Sequence, residues 1–196
     1  MKKPDKNKAG IFAEHAIKKT SIDGLLIIER PIFKDGRGFF KEIFRLDALE
    51  EQIGKKFHFK QANHTFSKPG VIRGLHAEGW NKIIAPLNGK VFIAIVDIRP
   101  ESKNFAKIET LTVDEKNPRA LYIPKGLANS FCVLGNKPVD YIYLVDAYYD
   151  GSDTTAIAWD DPDLNINWPI KNPVISERDR NNPTMREKFP GKYKKK

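Results

Sequence analysis

Three observations predict a mainly β domain, folded as an antiparallel barrel or jelly roll. Short apolar runs rich in β-branched residues recur along the chain. Turn signals separate them: Asp35-Gly36, Asn88-Gly89, Lys125-Gly126, Gly135-Asn136 and Asp150-Gly151. Helical periodicity is scarce. A chain of 196 residues is long enough to bury one sizeable core.

The elements follow in order. Gly24-Leu-Leu-Ile-Ile-Glu-Arg-Pro31 is an apolar β-branched run closed by proline, and Phe39 to Phe44 alternates loosely around Lys41 and Glu42. Leu46 to Ile53 reads as a short helix. Strands are predicted at 57–66, 71–76, 82–87, 90–98, 107–113, 120–123, 130–134, 140–145 and 156–159. There is no internal repeat and no linker that would split the chain. A cupin-like double-stranded β-helix with a few short peripheral helices fits this order.

The formal charge of +9 invites a nucleic-acid reading, but it is concentrated at the ends. Lys2, Lys3, Lys6 and Lys8 face only Asp5 at the start, and Lys192, Lys194, Lys195 and Lys196 crowd the other end. Residues 1–20 and 186–196 are therefore expected as basic, flexible tails around a single domain at 21–185. No nucleic-acid partner is expected. No apolar run approaches the roughly 20 residues that span a bilayer, so no membrane partner is expected either, and a cytoplasmic location is. The single Cys132 reads as a small core hydrophobe.

The segment Val71-Ile-Arg-Gly-Leu-His76 carries the sharpest chemistry. Strand side chains alternate faces, so a spacing of three sends Arg73 and His76 to opposite sides. A bulge at Gly74 would bring both to one cavity, a cation for an anionic substrate beside a titratable base. The histidines His15, His58, His64 and His76 are not closely spaced, and Glu78 is the one carboxylate near His76 on its strand. That is a poor metal cage, and neither a metal nor another cofactor is expected.

The order and spacing of several motifs resemble the dTDP-4-dehydrorhamnose 3,5-epimerase family. They are Asp35-Gly-Arg-Gly-Phe-Phe-Lys-Glu42, Gln61-Ala-Asn63 with His64, Arg73-Gly-Leu-His76, Gly89-Lys-Val-Phe92 and Val96-Asp-Ile-Arg-Pro100. Ile123-Pro-Lys-Gly-Leu-Ala128, Tyr143, Tyr148-Tyr149, Trp159-Asp-Asp-Pro162 and Ile166-Asn-Trp-Pro169 complete the series, which runs from about Gly24 to about Pro183. The resemblance implies a cupin-fold epimerase that moves protons at C3 and C5 of a nucleotide-linked 4-keto-6-deoxyhexose, in deoxysugar synthesis for cell-surface polysaccharide.

By the same resemblance, His76 is the base, Asp179 its orienting carboxylate, Lys82 the cation at the enolate oxygen and Tyr143 the acid on the other face. Arg37 and Arg73 would meet phosphate, while Phe40, Glu42, Gln61, Asn63, Asn129 and Tyr149 would line the substrate site. A homodimer with exchanged strands is implied. Each residue also has a plain structural reading: an ion pair for Asp179 between Arg178 and Arg180, a snorkelling cation for Lys82, a core aromatic for Tyr143 or Phe40, a turn cation for Arg37.

The chain departs from the family in two places. Ala77-Glu-Gly-Trp-Asn81 leads straight to Lys82 where the family has an aromatic, a glutamine and a longer loop. Asn129 stands where the family has histidine. The nucleotide, the sugar and the number of carbons inverted are left open, with a C3-only epimerase, a keto-isomerase and a non-catalytic sugar-nucleotide binder as alternatives.

Overall fold

The structure is a computed structural model that describes residues 16–149, 151 and 155–193. Its strands in chain order are β1 (Ala16–Lys19), β2 (Leu26–Glu29), β3 (Ile32–Asp35), β4 (Gly38–Lys41), β5 (Gln61–Ser67), β6 (Ile72–Ala77), β7 (Lys82–Pro86), β8 (Lys90–Asp97), β9 (Ile108–Asp114), β10 (Arg119–Ile123), β11 (Leu127–Leu134), β12 (Val139–Val145) and β13 (Thr155–Ala156). Helix α1 (Leu46–Ile53) precedes β5, and two short helices, α2 (Glu177–Arg180) and α3 (Met185–Lys188), follow β13.

Two antiparallel sheets stack face to face. One runs β1-β2-β10-β7-β12-β5 and the other β13-β6-β11-β8-β9, with β3 and β4 as a separate hairpin. Between the sheets lies a core of Ile84, Leu121, Ile123 and Tyr141 from the first and Val91, Ile93, Ile95, Phe131 and Val133 from the second. Each fully buried aliphatic side chain contributes roughly 2 kcal/mol.

The central strands are covered on their outer faces too. Helix α1 brings Leu49, with Phe57, onto Leu26, Ile28, Ile83, Ala85, Ala120 and Tyr122. On the other side, Ile157, Leu164 and Met185 wrap onto Leu75, Ala77, Val96, Ile98 and Ala128. Burial on both faces explains why β7 is apolar without alternation after its first residue, whereas the sheet-edge strand β5 alternates.

The C-terminal wrap is fixed by a buried carboxylate and an indole. Asp161 accepts from the backbone N–H groups of Met185 at 2.6 Å, Leu164 at 2.8 Å and Asp163 at 2.9 Å. Trp168 Nε1–H donates to the Trp159 carbonyl at 2.8 Å. Cys132 is buried, and burial pushes its thiol up to about 11.

The expected tail boundaries need correction. Residues 16–19 form β1, paired with β2, because Ala16 and Ile17 continue the sheet before the lysines turn outward. Residues 185–188 form α3, closed by a Thr184–Glu187 capping box, and Pro190–Lys192 add a 3₁₀ turn. Residues 1–15 and 194–196 lie outside the described residues. No helix of the described residues is long and apolar enough to cross a membrane.

Candidate active site

A cavity of about 410 Å³ opens between the two sheets. The six-stranded sheet supplies Gln61, Asn63 and Thr65 from β5, Lys82 and Ile84 from β7, and Tyr141, Tyr143 and Val145 from β12. The opposing sheet supplies Arg73 and His76 from β6 and Asn129 and Phe131 from β11. A ligand between them therefore meets the imidazole from one side and the phenols from the other.

The bulge expected at Gly74 is present. Asn129 faces His76 and Phe131 faces Arg73, so two steps along β11 oppose three along β6. The extra residue turns Arg73 and His76 to the same cavity. Gly74 has φ of +120°, and a Cβ there would lie 2.6 Å from the Asn129 carbonyl oxygen, so only glycine fits. Arg73 is steadied by Ser67 Oγ, 2.9 Å from Nε, and by the Phe66 carbonyl, 3.3 Å from Nη2.

Behind His76 sits Asp179, buried at the start of α2, where Ser176 caps the helix by accepting from the Asp179 N–H. Asp179 Oδ1 is 2.6 Å from His76 Nε2, and Oδ2 accepts from the Gly74 N–H at 3.2 Å. Burial pushes this carboxyl up. The His76 hydrogen bond and charge, the Gly74 N–H and the Ser176 contact outweigh that and hold it below the usual carboxylate range. An ionised carboxylate only accepts, so in the neutral imidazole the hydrogen bond to Asp179 puts the ring proton on Nε2 and the lone pair on Nδ1.

Lys82 is buried, with its Nζ engaged by the Glu78 carboxylate and by the Asn129 side-chain oxygen. The short loop before it is stapled: Asn81 donates from its backbone to Asp146 at 2.9 Å, and its own side-chain oxygen accepts from the Lys125 N–H at 3.2 Å. Tyr143 is pushed above the ordinary phenol range by burial and by the Glu78 charge, with Arg73 acting in the opposite sense. Gln61 donates to Asn63 Oδ1 at 2.8 Å and accepts from the Tyr149 N–H at 3.1 Å, which joins three expected site residues.

Of the expected site residues, His76, Lys82, Tyr143, Gln61, Asn63, Arg73, Asn129 and Tyr149 line the cavity, with Asp179 immediately behind His76. Arg37, Phe40 and Glu42 do not line it. Arg37 is 92% exposed in the β3–β4 turn and pairs with Asp35. Phe40 is 61% exposed, and Glu42 pairs with the buried Arg30. Glu78, Trp80, Tyr141 and Arg178 complete the lining without having been assigned there. For Trp80 the signal was an aromatic in the loop after His76; it meets Tyr149 edge-on at 6.3 Å. Among the described residues no three His, Cys, Asp or Glu side chains converge as a metal-ligand set.

The family model described as dTDP-4-dehydrorhamnose 3,5-epimerase matches residues 19–187, most of the chain. This chain belongs to the dTDP-4-dehydrorhamnose 3,5-epimerase family. The Shigella flexneri dTDP-4-dehydrorhamnose 3,5-epimerase is 39% identical over 83% of this chain and 92% of its own. The dTDP-4-dehydrorhamnose 3-epimerase of Streptomyces niveus is 30% identical over 84% of this chain and 81% of its own. Among solved structures, the Legionella pneumophila dTDP-6-deoxy-D-glucose-3,5-epimerase in complex with dTDP-4-keto-L-rhamnose superposes with a TM-score of 0.81 at 36% identity, covering 88% of this chain and 93% of that one. The stacked antiparallel sheets are thus the cupin-type jelly roll of this epimerase family.

Proposed function

We propose that this protein epimerises a nucleotide-linked 4-keto-6-deoxyhexose, taking dTDP-4-dehydrorhamnose precursors at C3 and C5 in the cytoplasmic supply of deoxysugars for cell-surface polysaccharide. The observation that carries this reading is the His76–Asp179 dyad on one wall of the cavity, facing Tyr143 and Lys82 on the other. Carbon acids beside a ketone are weak, so their removal needs a base, charge stabilisation at the oxygen and an acid across the ring. His76 removes the proton, and Asp179 stabilises the imidazolium that results. Lys82 stabilises the enolate oxygen, and Tyr143 delivers a proton to the opposite face. The sequence of steps moves protons alone and has no redox component. Arg73 and Arg178 supply positive charge for the diphosphate.

A homodimer completes the site in this reading. Phe33, Phe39 and Phe40 are exposed on the β3–β4 hairpin, which also carries Arg37, and Glu42 follows directly. The sheet edge at β5 bears Gln61 and Asn63 beside the cavity mouth. A hairpin from a second copy laid along that edge brings its Arg37, Phe40 and Glu42 to the nucleotide.

Proton NMR in deuterium oxide with dTDP-4-keto-6-deoxyglucose tests the reaction. Deuterium entry at C3 and C5, reduced roughly 10²- to 10⁴-fold in His76→Asn, is the expected result. Entry at C3 alone identifies a C3 epimerase, a second reading favoured by the Glu78–Lys82–Asn129 contacts and by the likeness to a 3-epimerase. No exchange at either carbon sinks the assignment.

A further inference from the structure

Tyr141 is a buried phenol that neither the resemblance nor the chemistry above employs. It precedes Tyr143 by two residues on β12, so both side chains share the face that looks into the cavity, about 7 Å apart along the strand. Tyr141 lines the cavity and is 2% exposed. Its ring lies flat on Phe131, with centroids 4.3 Å apart and planes 15° apart, so the phenol has little freedom to turn away. Its hydroxyl is buried and has no hydrogen-bond partner among the described residues. A buried hydroxyl without a partner is unfavourable, and the nearest hydroxyl across the strand pair, that of Thr65 on β5, donates to the Tyr141 backbone carbonyl at 3.4 Å and leaves the phenol unserved. An orphan donor on the wall of a ligand-sized cavity is satisfied when the ligand brings an acceptor.

We propose that Tyr141 is a sugar-binding residue of this site, its hydroxyl donating to an oxygen substituent of the hexose ring. The inference rests on the epimerase reading and adds to it a specificity element separate from the proton-transfer groups. Burial and the Glu78 charge push this phenol well above its ordinary range, so it stays a neutral donor wherever the enzyme works. A pocket that spends a buried donor on one ring oxygen discriminates against sugars deoxygenated at that position, because the donor is then left unpaired again.

Tyr141→Phe removes one oxygen and keeps the ring on Phe131. Calorimetric titration of wild type and variant with dTDP and with dTDP-xylose separates the nucleotide from the sugar. The expected result is a variant that binds dTDP as wild type does and binds dTDP-xylose roughly three- to tenfold more weakly. Its KM for the 4-keto sugar rises by a similar factor, and its unliganded melting temperature is unchanged or higher. Unchanged dTDP-xylose affinity in a folded variant overturns the role of Tyr141 and leaves the epimerase reading standing. Equal wild-type affinities for dTDP and dTDP-xylose also overturn it. Wild type that binds neither compound, and exchanges no substrate proton, removes the epimerase reading and this inference together.

Discussion

In the proposed reaction His76 and Tyr143 divide the chemistry between two sheets, and a single hydroxyl separates their contributions. Removing the phenol oxygen in Tyr143→Phe leaves the His76–Asp179 dyad intact. Deuterium should therefore still enter at the carbon His76 attacks, while inversion falls roughly 10²-fold or more, read by comparing exchange with product formation. The resemblance located His76, Asp179, Lys82 and Tyr143 by motif, and physical reasoning about Gly74 located the bulge that lets Arg73 and His76 converge. Tyr141 was not legible, because a tyrosine in an apolar strand reads as core and only the missing partner on its hydroxyl distinguishes it. The ion pair of Lys82 with Glu78 was half legible. The carboxylate is legible near His76 on the chain, but its hold on the lysine depends on the short loop that carries Glu78 back towards the start of β7.

Among the elements, the C-terminal wrap and the β3–β4 hairpin show what sequence patterns convey and what they do not. Long apolar runs marked the central strands, and α1 falls on the eight residues read as helix. β1 and β3 were missed, because four-residue strands with two or three exposed, mostly charged positions carry too little periodicity. The importance of Asp161 likewise became visible only through its three backbone donors. Asp161→Ala strands those N–H groups, and we expect a loss of roughly 2–3 kcal/mol in urea unfolding, with release of α3. The hairpin has a different test. If Arg37 and Phe40 serve the partner's cavity, neither Phe40→Ala nor His76→Asn homodimers will be fully active. Mixing the two variants should restore about a quarter of wild-type turnover in exchanging dimers, since one of their two sites then holds both native residues. Absence of rescue assigns the hairpin to its own chain.

For the molecule as a whole, pH acts through the groups the fold has buried. Burial pushes Tyr122, packed on Phe57 beneath α1, up to about 12, against an unfolded phenol near 10. Over that interval the unfolded chain binds fewer protons than the native one, so stability should fall as pH rises from about 10 to about 12. On the acid side Asp97 and Asp179 are held below their ordinary range: burial opposes this, and the bonds from Arg99 and Ser102 to Asp97, and from His76 and the Gly74 N–H to Asp179, overcome it. Their contribution is complete above the unfolded value near 4 and lost as pH drops through the lower native values. Urea midpoints across the pH range check both limbs, and a flat profile at either end contradicts the buried groups named. The dyad also ties activity to local opening of the C-terminal segment. His76 and Asp179 stand 103 residues apart in the chain, and the carboxylate arrives on the segment that must lie down over the finished five-stranded sheet. The segment meets that sheet through side chains and a few backbone bonds rather than a long strand ladder, so we expect its detachment to cost less than dismantling the barrel. Activity should then report on that layer: on gentle warming we expect turnover to be lost before the circular-dichroism signal of the strands.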